Sequence, residues 1–294
     1  MPAETLVVID GHYYAYRFFF GMPPLTGPGG RPTGVTYAFA KLVNDLRQNP
    51  LVTHLACVFD VGDSFRNEIF AEYKAHRDPM PDLLAAQFDD VEEILRASGV
   101  PIIKMPGFEA DDVLATLAKQ GVAAHLNVRL CTKDKDIDQL LNDRVRTWDP
   151  GKDILRGPKE LFEEKGITPE QVIDYLCMVG DSADNVPGIT GVGPKTATKL
   201  LQEYGNLAAV LANSDKLKGK QKENVEAFKP KAELTCRLIQ LADVADLPAL
   251  ETLWLTGAFA VTKPRLPSSD LVAHGSFRLK LNQLAMMRPI AFCH

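Results

Sequence analysis

The chain has 294 residues, 46% of them apolar and 24% charged, with a net charge of −5. That is long enough for a sizeable core in one large or two modest domains, and ordinary for a soluble protein. No apolar run approaches the roughly 20 residues of a membrane helix, and no signal-peptide pattern opens the chain, so a cytoplasmic protein away from the membrane is expected. Five scattered cysteines without a C-x-x-C pair and six dispersed histidines argue against a disulfide framework and a zinc site. The acidic balance speaks against a plain nucleic-acid binder, which is usually basic.

In chain order, "TLVVID" (5–10) is a short apolar run ending in Asp, and "HLACVFD" (54–60) repeats the pattern. "VPIIKMP" (100–106) and "VRLCTKD" (128–134) complete four predicted strands. Between them, "TYAFAKLVNDLRQ", "LLAAQFDDVEEILRAS" and "DDVLATLAKQ" space their apolar residues as amphipathic helices do. Strands alternating with helices predict an α/β fold, a mostly parallel sheet covered on both faces. After about residue 155 the strand signal stops. "PEQVIDYLCMVG", "PKTATKLLQEYG", "LAAVLANS" and "KAELTCRLIQLA" predict short helices between Gly, Pro and Asn turns. The expected domains are therefore 1–155 (α/β), 156–248 (helical) and an atypical tail over 249–294.

The acids explain the charge. Asp10 and Asp60 end strands, and in an open parallel sheet the carboxyl ends of strands form the binding crevice. Asp134 and Asp136 close a third strand on one face of an extended segment. In "GFEADD", Glu109 and Asp112 share a helix face with Asp111 beside them, and Asp181 and Asp184 repeat the i, i+3 spacing in "GDSADN". Nine acids thus aim at one place. Two carboxylates about 5 Å apart repel by roughly 3 kcal/mol at an effective dielectric of 20, so such a cluster needs cations. Oxygen ligands without Cys or His select hard ions, Mg²⁺ or Mn²⁺. Setting the nine acids aside from the net −5 leaves +4 for the rest of the chain, which suits a polyanionic substrate. Together these features predict two-metal phosphodiester hydrolysis. Each pair alone reads more simply as helix capping; Asp89, Asp90, Glu92 and Glu93 read as a solvated helix face, and Asp138 as a surface residue.

"VPGITGVGPKTATKLL" (186–201) is a second constellation. Gly188, Gly191 and Gly193 permit close backbone approach, Pro194 opens a helix, and the exposed N–H groups of such a turn bind phosphate. Lys195, Thr196 and Lys199 add donors. Pro194 stands where a P-loop needs Lys, which excludes a nucleotide-binding P-loop. The competing reading is a capped helix start. A third stretch, "SFRNEIFAEYKAHRDPMP" (64–81), interleaves Arg66, Lys74, His76 and Arg77 with Phe65, Phe70 and Tyr73. Rings that stack on bases and cations that hold phosphates suit single-stranded nucleic acid; an amphipathic surface helix is the alternative.

Five motifs in order, "VVIDGHYYAYR", "VFDVGDSFRNEIFAEYKAHR", "PGFEADDVLATLA", "TKDKDIDQLL" and "MVGDSADNVPGITGVGPKTATKLL", resemble the 5′-nuclease (flap endonuclease) family, in particular the 5′→3′ exonuclease domain of bacterial DNA polymerase I. The resemblance spans residues 5 to about 245. It implies a divalent-metal-dependent 5′→3′ exonuclease or 5′-flap endonuclease acting on DNA ends, flaps or nicks in replication or repair. By it, Asp10, Asp60, Glu109, Asp111, Asp112, Asp134, Asp136, Asp181 and Asp184 match metal-site acids. Lys74 and Arg77 match basic residues near the scissile phosphate in a helical arch. The Gly-rich turn matches a helix–three-turn–helix that grips duplex backbone, often with K⁺. Phe70 and Phe108 depart from the family's common Tyr, and Lys133 from a small or acidic residue, where it could pair with an acid or weaken metal affinity. Residues 250–294 do not match, and a stand-alone nuclease or detached domain, monomeric, is expected. The rival readings are a catalytically silent DNA-structure-binding protein, which would have lost acids, and a related metal-dependent ribonuclease, which would lack the clamp. "QLAMM" (283–287) resembles peptides that dock on sliding clamps, against the reading of an ordinary amphipathic end helix.

Overall fold

The computed structural model describes residues 4–253, so the tail from 254 onward, with "QLAMM", lies outside the described residues. Six strands form one sheet: β1 (Thr5–Asp10), β2 (His54–Val58), β3 (Ile102–Ile103), β4 (Asn127–Cys131), β5 (Val145–Asp149) and β6 (Ile154–Arg156). The order is β3-β2-β1-β4-β5-β6, parallel throughout except for β5 with β6. β1 is central and buried along its whole length, which is why its sequence is a continuous apolar run. Successive strands run outward from β1 in both directions, so a crevice opens at the carboxyl ends of β1, β2 and β4.

Alternate residues of the strands feed two cores. Val7, Ile9, Leu55 and Cys57 pack against α1 (Gly11–Gly21), α2 (Gly34–Gln48) and α5 (Phe88–Ala97). Leu6, Val8, Ala56 and Val58 pack against α6 (Ala110–Ala123) through Leu114 and Leu117. The single helix predicted for 83–98 is broken into α4 (Asp82–Ala85) and α5. The break places buried Gln87 under α2, where its Oε1 accepts the Val35 N–H at 2.9 Å and caps that helix start. The hairpin of β5 and β6 escaped the sequence reading because it carries no apolar run; β5 alternates buried and half-buried residues at the sheet's margin.

The segment 64–81 is helical only over α3 (Phe65–Ile69), and turns follow across 71–76. The continuous helix considered for this stretch, and the helical arch the resemblance implied, are here a short helix and a turn-rich strap. The strap is pinned rather than loose. Lys74 holds the left-handed conformation (φ 56°) while its N–H donates to the Asp184 carbonyl at 3.0 Å, and Asn185 Nδ2 donates to the Glu72 carbonyl at 2.9 Å.

The helical region comprises α7 (Pro158–Lys165), α8 (Val172–Val179), α9 (Pro194–Tyr204), α10 (Leu207–Ala212), α11 (Gly219–Phe228) and α12 (Ala232–Ile239) around a core that includes Leu176, Met178, Leu201, Val225 and Leu238. Asp138, expected at the surface, is 3% exposed. It accepts from Arg156 Nη2 at 3.2 Å and Lys165 Nζ at 2.8 Å, tying β6 and α7 to the turn after β4. Its burial is compensated by two cations, which no local spacing announces. Among the described residues no helix is long and apolar enough to cross a membrane.

Candidate active site

One cavity of about 620 Å³ lies at the carboxyl ends of the strands. Seven of the nine sequence-predicted acids line it: Asp10, Asp60, Glu109, Asp111, Asp134, Asp136 and Asp184. Asp10 ends β1 and caps α1, accepting the Tyr13 N–H at 2.9 Å and the Thr132 hydroxyl at 2.9 Å. Asp60 follows β2 and accepts the Ala110 N–H at the start of α6 at 2.7 Å, with His12 Nδ1 3.3 Å from its other oxygen. Asp134 accepts the Asp136 N–H at 2.8 Å in the turn after β4.

Two arms of this site are already neutralised. Lys74 Nζ donates to Glu109 Oε1 at 2.5 Å, and Tyr73 Oη donates to Glu109 Oε2 at 3.0 Å. Arg77 Nε donates to Asp184 Oδ1 at 3.0 Å. The inner group is different, because neither Asp10, Asp111 nor Asp134 has a Lys or Arg ion pair among the described residues. Burial, followed by repulsion from Asp134, Asp10, Asp136 and Asp60, drives the Asp111 carboxyl well above its ordinary range. Burial raises Asp10 to about 6, and burial with Asp134 beside it raises Asp136 to about 7. Burial also pushes Asp60 upward, but the hydrogen bonds of His12 and the Ala110 N–H win and hold it at about 2.

This donor set fits hard divalent cations: carboxylate oxygens, crowded around one cavity and short of positive charge. Among the described residues no three acids, thiols or imidazoles converge as a ready-made cage. A small ion that keeps several waters and takes one or two carboxylates needs no such cage.

Five sequence assignments change, that of Gly188 among them. Asp112 does not reach the cavity; it is fully buried, and Arg66 Nη1 and Nη2 donate to its oxygens at 2.7 and 2.9 Å. It also accepts the N–H groups of Glu109 (3.0 Å) and Ala242 (2.8 Å), so both oxygens are spent on protein donors. Arg66, expected to meet nucleic acid, is 1% exposed and donates further to the Leu238 and Gln240 carbonyls at 2.8 and 3.0 Å. Tyr73, expected to stack on a base, is buried beneath Glu109, with its hydroxyl 3.4 Å from Asp184. Asp181 does not line the cavity; its carboxylate lies 2.7 Å from Lys135 Nζ.

The Gly-rich turn lies outside the cavity lining. Gly188 is there for packing: it crosses Gly180 so closely that a Cβ would sit 2.5 Å from the Gly180 nitrogen, and the crossing closes the loop carrying Asp181 and Asp184. Gly191 (φ 74°) and Gly193 are exposed ahead of α9, with Lys195 and Lys199 exposed and Thr196 half-buried on its first turns. Phe70 packs on the helical core and Phe108 edge-on against Phe65 at 6.1 Å, so neither faces the cavity. The sequence reading missed His12, Tyr13, Tyr16, Arg17 and Phe20, all on α1, and Lys152 on the β5–β6 turn. The signal for α1 was present: an aromatic-rich stretch directly after a strand-ending Asp.

Two sequence profiles match the chain: one described as 5′-3′ exonuclease, N-terminal resolvase-like domain, over residues 5–173, and one described as 5′-3′ exonuclease, C-terminal SAM fold, over residues 167–258. A 5′-3′ exonuclease of Aquifex aeolicus is 37% identical over 249 residues, covering 84% of this chain and 85% of the relative. The thermostable DNA polymerase I of Thermus aquaticus is 39% identical over 249 residues, which are 84% of this chain and only 29% of the polymerase. Among solved structures, the bacteriophage T5 flap endonuclease in a complex with DNA and metal ions matches with a TM-score of 0.65 at 24% identity, over 81% of this chain and 89% of that one. That last likeness is one of fold.

Proposed function

The chain belongs to the 5′-3′ exonuclease family, and from that premise we propose that it hydrolyses DNA phosphodiester bonds at 5′ ends and 5′ flaps. It is a nuclease and hence a hydrolase. We place it in replication or repair, in the cytoplasm, with Mg²⁺ or Mn²⁺ as cofactor. The observation that carries the reading is the cavity that seven carboxylates line, with Asp10, Asp111 and Asp134 free of any Lys or Arg ion pair among the described residues.

In this reading the divalent ions would be held, one or two carboxylates each, from among Asp10, Asp60, Glu109, Asp111, Asp134, Asp136 and Asp184, with waters completing their shells and Asp181 outside the cavity lining. Bound ions supply an activated water and stabilisation of the leaving oxygen. The chain's own groups do the rest. His12 and the Ala110 N–H hold Asp60 ionised and oriented. Lys74 and Arg77, at the cavity wall on a strap pinned to Asp184, carry positive charge for the reacting phosphate. The Arg66–Asp112 pair fixes the start of α6, and so Glu109, from below. The N–H groups at Gly191 and Gly193, with Lys195, Thr196 and Lys199, would grip duplex backbone away from the chemistry, with the K⁺ implied by resemblance in that turn.

Labelled 5′-flap, nicked and single-stranded DNA, incubated with Mg²⁺ and with excess EDTA, test the proposal. Cleavage from the 5′ side that requires Mg²⁺ is expected. Equal cleavage in EDTA, or none of any substrate in Mg²⁺, would overturn it.

A further inference from the structure

Two basic residues that line the cavity have no role in the proposed hydrolysis. Of the lysines and arginines lining it, Arg17 is bound to Asp149, Arg66 to Asp112, Lys74 to Glu109 and Arg77 to Asp184. Lys133 and Lys152 line the same space, are exposed, and make no ion pair among the described residues. They come from different elements. Lys133 stands between Thr132, whose hydroxyl is bonded to Asp10, and Asp134. Lys152 sits on the β5–β6 turn, whose shape is fixed by Asp149: Gly151 N–H donates to its Oδ1 and Lys152 N–H to its carbonyl, each at 3.2 Å.

Asp149 is the hub of the group. Arg17 Nη2 donates to its Oδ2 at 2.8 Å, and the charges of Arg17 and Lys133 help hold its carboxyl below the ordinary range against the effect of burial. Arg17 neutralises Asp149, so the ammonium groups of Lys133 and Lys152 leave a combined charge of +2 on the lining of an otherwise acidic cavity. Two free ammonium groups with a combined charge of +2 match a phosphate monoester, which carries about −1.5 to −2 at pH 7, better than a singly charged backbone diester.

We propose that Lys133 and Lys152 form a subsite for the 5′-terminal phosphate monoester of a DNA end, separate from the position of the reacting diester. The inference rests on the nuclease reading above. It makes the pair a specificity determinant: 5′-phosphorylated ends bind better than 5′-hydroxyl ends, and the gain lies in substrate binding. If the lysines only soften the field of the metal-site acids, both kinds of end are affected alike.

The test uses the full chain and two nicked duplexes that differ only in a 5′-phosphate or 5′-hydroxyl at the nick. Affinity is read by fluorescence anisotropy in Ca²⁺, and KM and kcat in Mg²⁺. The wild type is expected to favour the phosphorylated end by about ten-fold in Kd. Lys133→Ala/Lys152→Ala brings the two ends within about two-fold by raising Kd and KM for the phosphorylated end alone, while Lys133→Arg/Lys152→Arg keeps the preference. Both side chains are exposed, so the substitutions leave the core intact. No discrimination by the wild type, or an equal loss on both ends in the alanine variant, overturns the subsite. A protein that cleaves in Mg²⁺ without discriminating sinks this inference and spares the nuclease reading; discrimination in Ca²⁺ without any cleavage in Mg²⁺ does the reverse.

Discussion

Asp111 and Asp112 are neighbours of the same chemical type, and the structure gives them opposite energetics. Asp112 is paired with an arginine whose side chain is 2% exposed, in a bidentate geometry at 2.7 and 2.9 Å. Breaking such a buried pair by removing one partner costs about 3–5 kcal/mol, because it leaves an uncompensated buried charge. Arg66 Nη1 keeps a secondary contact to Glu109 Oε2 at 3.4 Å, which places Asp112→Asn toward the lower end, about 3 kcal/mol. Against a total stability of about 5–15 kcal/mol that is a large loss. Asp111→Asn removes one of several carboxylates that repel one another without a basic partner. It should leave the metal-free protein as stable as the wild type or more so, by on the order of 1 kcal/mol.

Urea unfolding in EDTA reads both variants directly, as shifts of midpoint at constant slope. The companion Arg66→Met/Asp112→Leu removes both charges but strands the N–H groups of Glu109 and Ala242 and the carbonyls of Leu238 and Gln240, at about 1–3 kcal/mol each, so it should be no more stable than Asp112→Asn. An Asp112→Asn protein with a wild-type midpoint, or an Asp111→Asn protein less stable than Asp112→Asn, would refute the division into a structural and a functional acid.

Lys74→Ala and Arg77→Ala should each slow single-turnover cleavage by roughly 10²-fold or more while duplex affinity in Ca²⁺ changes only a few-fold; parallel losses in both measurements would make them binding residues. Asp184→Asn should keep or tighten flap-DNA binding in Ca²⁺, through lower repulsion of phosphate, and lose cleavage by orders of magnitude; near wild-type turnover in Mg²⁺ would remove it from the ion site. In EDTA, stability should fall as pH rises from about 4 to about 7. Asp10 and Asp136 have folded values of about 6 and about 7 against an ordinary 3.8, so the folded state binds more protons across that window, and their contribution is lost as pH passes those values. Urea midpoints at pH 5 and pH 7.5 check this, and Mg²⁺ should reverse the loss; a midpoint that rises with pH in EDTA would contradict it.

The parts of the fold that sequence disclosed are those where one physical demand controls each position. β1 had to be apolar throughout because both its faces are covered, and it could end in Asp10 because the crevice begins there. The β5–β6 hairpin and α1 were illegible for the opposite reason. β5 is half-covered, and α1 mixes buried Tyr14 and Ala15 with cavity-facing Tyr13, Tyr16 and Arg17, so neither shows a clean apolar period. Asp138 and Gly188 were misread because their partners lie elsewhere in the chain: Arg156 and Lys165 for one, the Gly180 backbone for the other.

For the same physical reason "EADD" is recognisable as a site in the sequence yet cannot be divided there. Adjacent residues on a helix point about 100° apart, so at the first turn of α6 one acid must face the crevice if its neighbour faces the body of the protein. Which one does so is decided by Arg66, 46 positions upstream of Asp112, and by the Leu238 and Gln240 carbonyls that hold that arginine in place. The arginine was visible in the sequence, but in a stretch whose bases and rings alternate as a nucleic-acid surface would. Only its burial distinguishes it from Lys74 and Arg77, eight and eleven positions later, which are less enclosed and bear on the cavity. Crowded acids therefore locate this site, while the division of labour among them is set by where the cations are buried.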